Sequence, residues 1–109
     1  MKVYPISDEQ GRIFAFQVRV MLDGRRAFCK VARSIPGVRH VDPHGSLPGY
    51  DFCEFTIGDV TFSAEEPFGD NSRYWVGPRP PRWVPEVAQV LDHFRRTRVF
   101  FLWVRTSAR

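Results

Sequence analysis

The sequence predicts an α+β fold, a mostly antiparallel sheet of four to six strands with two helices on one face. Three observations carry that expectation. Several short stretches alternate apolar with polar residues, the period of a half-buried strand. Two others, around Phe28 and Val90, place apolar residues at helical spacing. Glycine and proline punctuate the gaps between them. At 109 residues, residues 1–109 are expected to form a single small α+β domain.

Residues 1–12 read as a short arm ending in the turn Glu9-Gln10-Gly11-Arg12. From Ile13 to Val20, Phe14, Phe16, Val18 and Val20 alternate with Ala15, Gln17 and Arg19, which predicts a strand. Asp23-Gly24 has two readings. The dipeptide suits a hairpin turn, yet Phe28, Val31, Ala32 and Ile35 share one helical face, with Cys29 beside them. The helix is favoured, with Asp23 as its cap and Pro36-Gly37 as its stop.

Val38 to Val41 predicts a short strand, and Asp42 to Tyr50, with Pro43, Gly45, Pro48 and Gly49, a surface connector. Cys53, Phe55 and Ile57 alternate against Phe52, Glu54 and Thr56. A Gly58-Asp59 turn follows, and Val60, Phe62 and Ala64 mark the return strand of a hairpin. Arg73 to Val76 suits another short strand, and Gly77 to Pro81 a stiff extended link.

Pro85 fits the first turn of a helix, where its missing N–H costs nothing. Val87, Val90, Leu91 and Phe94 form the apolar stripe of that helix. Glu86 and the trio Arg95, Arg96 and Arg98 complement its dipole. Val99 to Val104 is apolar on both faces and is expected to be a central strand. The rhythm of elements, with Ile35-Pro36-Gly37-Val38 after the first helix, resembles a ferredoxin-like or related split βαβ plan with extra strands.

With 43% hydrophobic and 26% charged residues, the composition is that of a globular chain rather than a disordered one. Ten phenylalanines make rings the main core material. The net charge is +4, and Lys2 and Lys30 are the only lysines among sixteen basic residues. Arginine suits recognition of carboxylates and phosphates, but these arginines are scattered rather than gathered in a stripe.

Cys29 and Cys53 match no zinc or CxxC spacing and are expected to be reduced, buried small hydrophobes. Met1 to Gln10 holds Asp8 and Glu9 without an apolar run, so a signal peptide is not expected. The longest apolar run, Val99 to Val104, is too short to cross a bilayer. A cytoplasmic location is expected, with neither membrane nor cofactor as a partner.

The chemistry-bearing residues crowd between Glu65 and Trp83. Glu65, Glu66, Asp70, Asn71, Arg73, Tyr74, Trp75, Arg79, Arg82 and Trp83 are the candidate site residues. The bracing role for this stretch pairs Arg73 with Glu65, Glu66 or Asp70 and buries Phe68 and Trp75. Its recognition role is contact with a protein partner or a second copy of the chain, because Tyr, Trp and Arg dominate binding hot spots. Phe101 and Trp103 would add to such a surface if exposed.

An alternative is nucleic-acid binding through Arg73, Arg79 and Arg82, with Trp83 as a stacking ring. Glu65, Glu66 and Asp70 beside them would repel phosphate. A third reading is a small-ligand domain or enzyme. There Arg73 is a fork, Tyr74 a hydrogen-bond donor, and Glu65 or Glu66 pairs with Asp70 for acid–base work. No nucleophile–base spacing accompanies those carboxylates, so no catalytic residue is assigned. His40, Asp42 and His44 have the donor types of a zinc site. No further ligand stands at a suitable spacing, and a metal is not expected.

Overall fold

A computed structural model describes residues 1–19, 24–43, 51–66 and 73–98. Six strands and two helices occupy them: β1 (Val3–Ser7), β2 (Ile13–Arg19), α1 (Gly24–Arg33), β3 (Val38–Pro43), β4 (Asp51–Ile57), β5 (Val60–Glu65), β6 (Arg73–Pro78) and α2 (Glu86–Arg96). The strands form one six-stranded sheet in the order β1-β2-β6-β5-β4-β3. Every neighbouring pair is antiparallel. The fold is therefore α+β with a sheet at its centre.

β2 and β3 point the same way, are joined by α1, and are split apart in the sheet by β6, β5 and β4. The described elements run ββαββββα. The extra initial strand comes from residues read as an arm. Val3–Ser7 pairs with β2, and the chain turns at Asp8, whose carboxylate accepts the N–H groups of Gln10 and Arg12 at 2.9 Å each. Pro5 hid this strand, since proline breaks a central ladder but is tolerated on an edge, where β1 lies.

The helix reading of the Asp23-Gly24 region holds from Gly24 onward; Asp23 itself lies outside the described residues. The Gly58-Asp59 hairpin forms as expected, with Gly58 at φ 58° and Ile57 opposite Val60. β3 and β6 run further than expected, through Pro43 and Pro78. The proposed central strand Val99 to Val104 and the rings of Phe68, Phe101 and Trp103 lie outside the described residues.

One cluster of rings and branched side chains forms the core. Phe28 of α1 stacks on Phe94 of α2 at 4.9 Å, and meets Phe52, Phe55 and Tyr74 of the sheet. Phe94 also packs on Phe16 at 5.8 Å. Phe52 breaks the expected alternation: a register shift between Asp51 and Cys53 leaves it out of the β4–β5 pairing, and both Phe52 and Cys53 are buried. Cys29 and Cys53 are buried free thiols, and their mutual interaction lowers the pKa of Cys29 while raising that of Cys53. The carbonyls that end α2 are met by Thr97 and by the Met1 amino group, at 3.2 Å from Phe94 O and 3.0 Å from Arg95 O. Among the described residues no helix is long and apolar enough to cross a membrane.

Candidate functional site

Strand alternation divides the sheet residues between two faces. Phe16, Val18, Phe62, Ala64, Tyr74 and Val76 point into the core. The opposite face carries Gln17, Ser63, Glu65, Arg73, Trp75 and Gly77. Pairing aligns Tyr4, Gln17, Trp75, Glu65 and Asp51 in one row across five strands. The adjacent row aligns Gly77, Ser63, Glu54 and Asp42.

Trp75 is the centre of this second face. Its ring folds back over Gly77, whose missing side chain makes the room: a Cβ there would sit 2.6 Å from Trp75 Cη2. Beside the ring lies a recess of about 230 Å³ lined by Ser63, Glu65, Trp75, Pro78, Arg79 and Pro81. Arg79 is anchored at its rim by ion pairs to Asp51 and to Glu54, the latter at 3.1 Å. Glu65 forms no hydrogen bond or ion pair among the described residues. Burial, and then the charge of Asp51, push its carboxyl above the ordinary range, with Arg79 opposing. Ser63 is 3% exposed, and its hydroxyl likewise has no hydrogen-bond partner among the described residues.

The structure thus joins three of the candidate residues, Glu65, Trp75 and Arg79, and separates the others that are described. Glu66 turns the other way. It is 5% exposed and ion-paired to Arg25 at 2.8 Å, so it braces the start of α1 rather than pairing with Arg73. That carboxylate also offsets a first helical turn holding Arg25 and Arg26 and no acid. Arg73 instead donates to Gln17 Oε1 at 3.2 Å and lies 3.6 Å above the Tyr4 ring.

Tyr74 is no pocket donor. It is 1% exposed within the core, and burial raises its phenol pKa to about 12. Trp75, expected in the core, is only half-buried. Alternation sends the consecutive glutamates Glu65 and Glu66 to opposite faces of the sheet. Asp70 and Asn71 lie outside the described residues.

Arg82 is exposed and donates to Pro80 O at 2.8 Å. Trp83 is 42% exposed, lies under Arg12, and walls a separate 370 Å³ recess with Ile13, Pro5 and Leu91. Arg73, Arg79 and Arg82 therefore form no shared basic track: one stacks on a tyrosine, one is held by two carboxylates, and one returns to its own backbone. His40 is exposed, with φ 56°, in a stretch where the β3–β4 register shifts. Asp42 lies opposite Glu54, and His44 is outside the described residues. Among the described residues, no three His, Cys, Asp or Glu side chains gather as a metal site would require.

Asp51, Glu54, Ser63 and Gly77 were missed from sequence. The signal was present: counting back from the Gly58-Asp59 turn places Glu54 opposite Ser63. Fold and site together define a small α+β chain with a recess beside Trp75 on its sheet. Compared with protein-family models, curated proteins and solved structures, the chain gives no match.

Proposed function

We propose that the protein is a small binding module whose second sheet face, centred on Trp75, contacts a protein partner. In this reading both helices lie on the other face, an arrangement supported by the stacking of Phe28 on Phe94 and their contacts with Phe16, Phe55 and Tyr74. The reading also includes a cytoplasmic setting, with which the two thiols at Cys29 and Cys53 agree.

The observation that carries the proposal is the half-buried indole held against Gly77 and rimmed by Gln17, Glu65 and Arg79. An aromatic fixed in place loses little freedom on binding, and an apolar centre with a polar rim is the anatomy of an interface. A photo-cross-linking residue in place of Gln17, with the same residue at Asp92 on α2 as control, tests this in cells. A discrete protein adduct from Gln17 that disappears on Trp75→Ala, in a variant that remains folded, is expected. Adducts no different from the Asp92 control would overturn the reading. An adduct of twice the chain mass would identify the partner as a second copy.

A further inference from the structure

We propose that the recess beside Trp75 receives the ammonium end of a lysine side chain presented by the partner. The proposal rests on the partner reading above and names what that partner brings. Its size is the first argument. At about 230 Å³ the recess is smaller than the roughly 300–1,000 Å³ of small-molecule pockets. It suits one long side chain.

Charge is the second. Among the described residues, Asp51 and Glu54 hold the Arg79 guanidinium at the rim, and Glu65 stands close enough to feel both Asp51 and Arg79. Arg79, the cation that lines the recess, is committed to Asp51 and Glu54. Glu65 is the carboxylate left without a hydrogen bond or ion pair among the described residues. Its raised pKa means that a cation placed there would relieve an existing penalty.

Ser63 supplies an independent argument. Its hydroxyl is in the recess wall, is 3% exposed, and lacks a hydrogen-bond partner among the described residues. Buried hydroxyls are nearly always bonded, so an unbonded one facing a recess indicates a polar group that arrives from outside. A lysine ammonium fits all of this. It has three donors on a compact head, for Glu65 and Ser63 together, and a cation for the π face of Trp75. Its alkyl stem would lie along Pro78, Pro81 and the indole. A guanidinium needs a fork of paired acceptors, and the paired acceptors Asp51 and Glu54 already hold Arg79.

The test is an NMR titration with Nα-acetyl-lysine N-methylamide, and with the norleucine analogue as its uncharged match. A saturable shift of the Trp75 indole N–H and the Ser63 amide is expected with the lysine probe alone, in the millimolar range typical of one side chain. Glu65→Gln should weaken binding about tenfold, the loss of one charge-assisted hydrogen bond, and Ser63→Ala should weaken it less. Equal shifts with norleucine, or full binding by Glu65→Gln, would overturn the proposal. If the lysine probe fails while the Gln17 cross-link still forms and still depends on Trp75, the lysine assignment alone is lost. Absence of that cross-link overturns the partner reading itself.

Discussion

The indole of Trp75 occupies the space that a β-carbon on Gly77 would need. Built on the backbone, that carbon would lie 2.6 Å from Trp75 Cη2 and 3.0 Å from both Trp75 Cζ2 and the Ala15 Cβ. Ala15 is fully buried in β2 and cannot retreat, so the ring must. Gly77→Ala is therefore expected to cost about 1–3 kcal/mol, as overpacking does, and to shift the Trp75 indole N–H resonance. Urea unfolding and a two-dimensional NMR spectrum check both halves. An unaltered indole signal would show that the ring does not depend on the glycine.

Arg25 and Glu66 are the second relationship with a measurable consequence. The carboxylate is 5% exposed, and the guanidinium that pairs with it at 2.8 Å also lies 5.0 Å from the Phe52 ring. Removing the arginine strands a buried charge. Arg25→Met should destabilise by about 3 kcal/mol, the low end for buried pairs, because the Arg25 side chain is itself 32% exposed. Adding Glu66→Gln should restore much of that loss. If the double variant is as unstable as the single one, Arg25 acts through packing on Phe52 rather than through charge.

How far the sequence revealed this arrangement depended on the range of each interaction. The Gly58-Asp59 hairpin and the stripe Val87, Val90, Leu91 and Phe94 were legible because turn chemistry and periodicity act within a few residues. β1 was missed because Pro5 says nothing about whether its strand lies at an edge. The split of Glu65 from Glu66 followed from alternation alone and could have been foreseen. Arg79 turning to Asp51 and Glu54, with Arg73 turning to Tyr4, could not: those partners are 25 to 69 residues apart and meet through the strand order β1-β2-β6-β5-β4. Segment composition pointed to β5 and β6, while the partners of their side chains came from the strand order.

Phe28 joins the helices to the sheet. It stacks on Phe94 at 4.9 Å and meets Phe52 and Tyr74 edge-on at 5.4 and 5.9 Å. Phe28→Ala should cost about 3–5 kcal/mol, a large share of the stability of a domain of this size. Phe28→Leu keeps more of the volume and should cost less. Chemical denaturation of the pair gives the difference, and near-equal losses would mean that the site collapses around either replacement.

Burial of His93 sets the sign of one pH dependence of the fold. Burial, the largest influence, lowers its pKa from 6.5, while its Nε2 lies 2.8 Å from Ser34 Oγ. The unfolded chain therefore binds a proton at its ordinary value and the folded chain only at lower pH. Stability from this group is present above 6.5 and is lost as pH falls through the folded value. The melting temperature should decline across that window, and His93→Gln should remove this component of the slope. Identical pH profiles for the two proteins would assign the decline to carboxylates.

Glu65 runs in the opposite direction. Burial, then Asp51, raises its folded pKa above 4.5. Its favourable contribution is complete below the unfolded value and is lost as pH rises through the folded one, so the ionised carboxylate burdens the fold at neutral pH. Glu65→Gln keeps the shape and removes the charge. At neutral pH it should raise the melting temperature on the order of 1–2 °C, solvent screening keeping the gain small. Below pH about 4 the gain should vanish, since the native side chain is then protonated as well. Scanning calorimetry at the two pH values checks this, and a gain equal at both would trace to the amide rather than to the charge. Under the proposed lysine contact, the same substitution is expected to strengthen the domain and weaken the recess together.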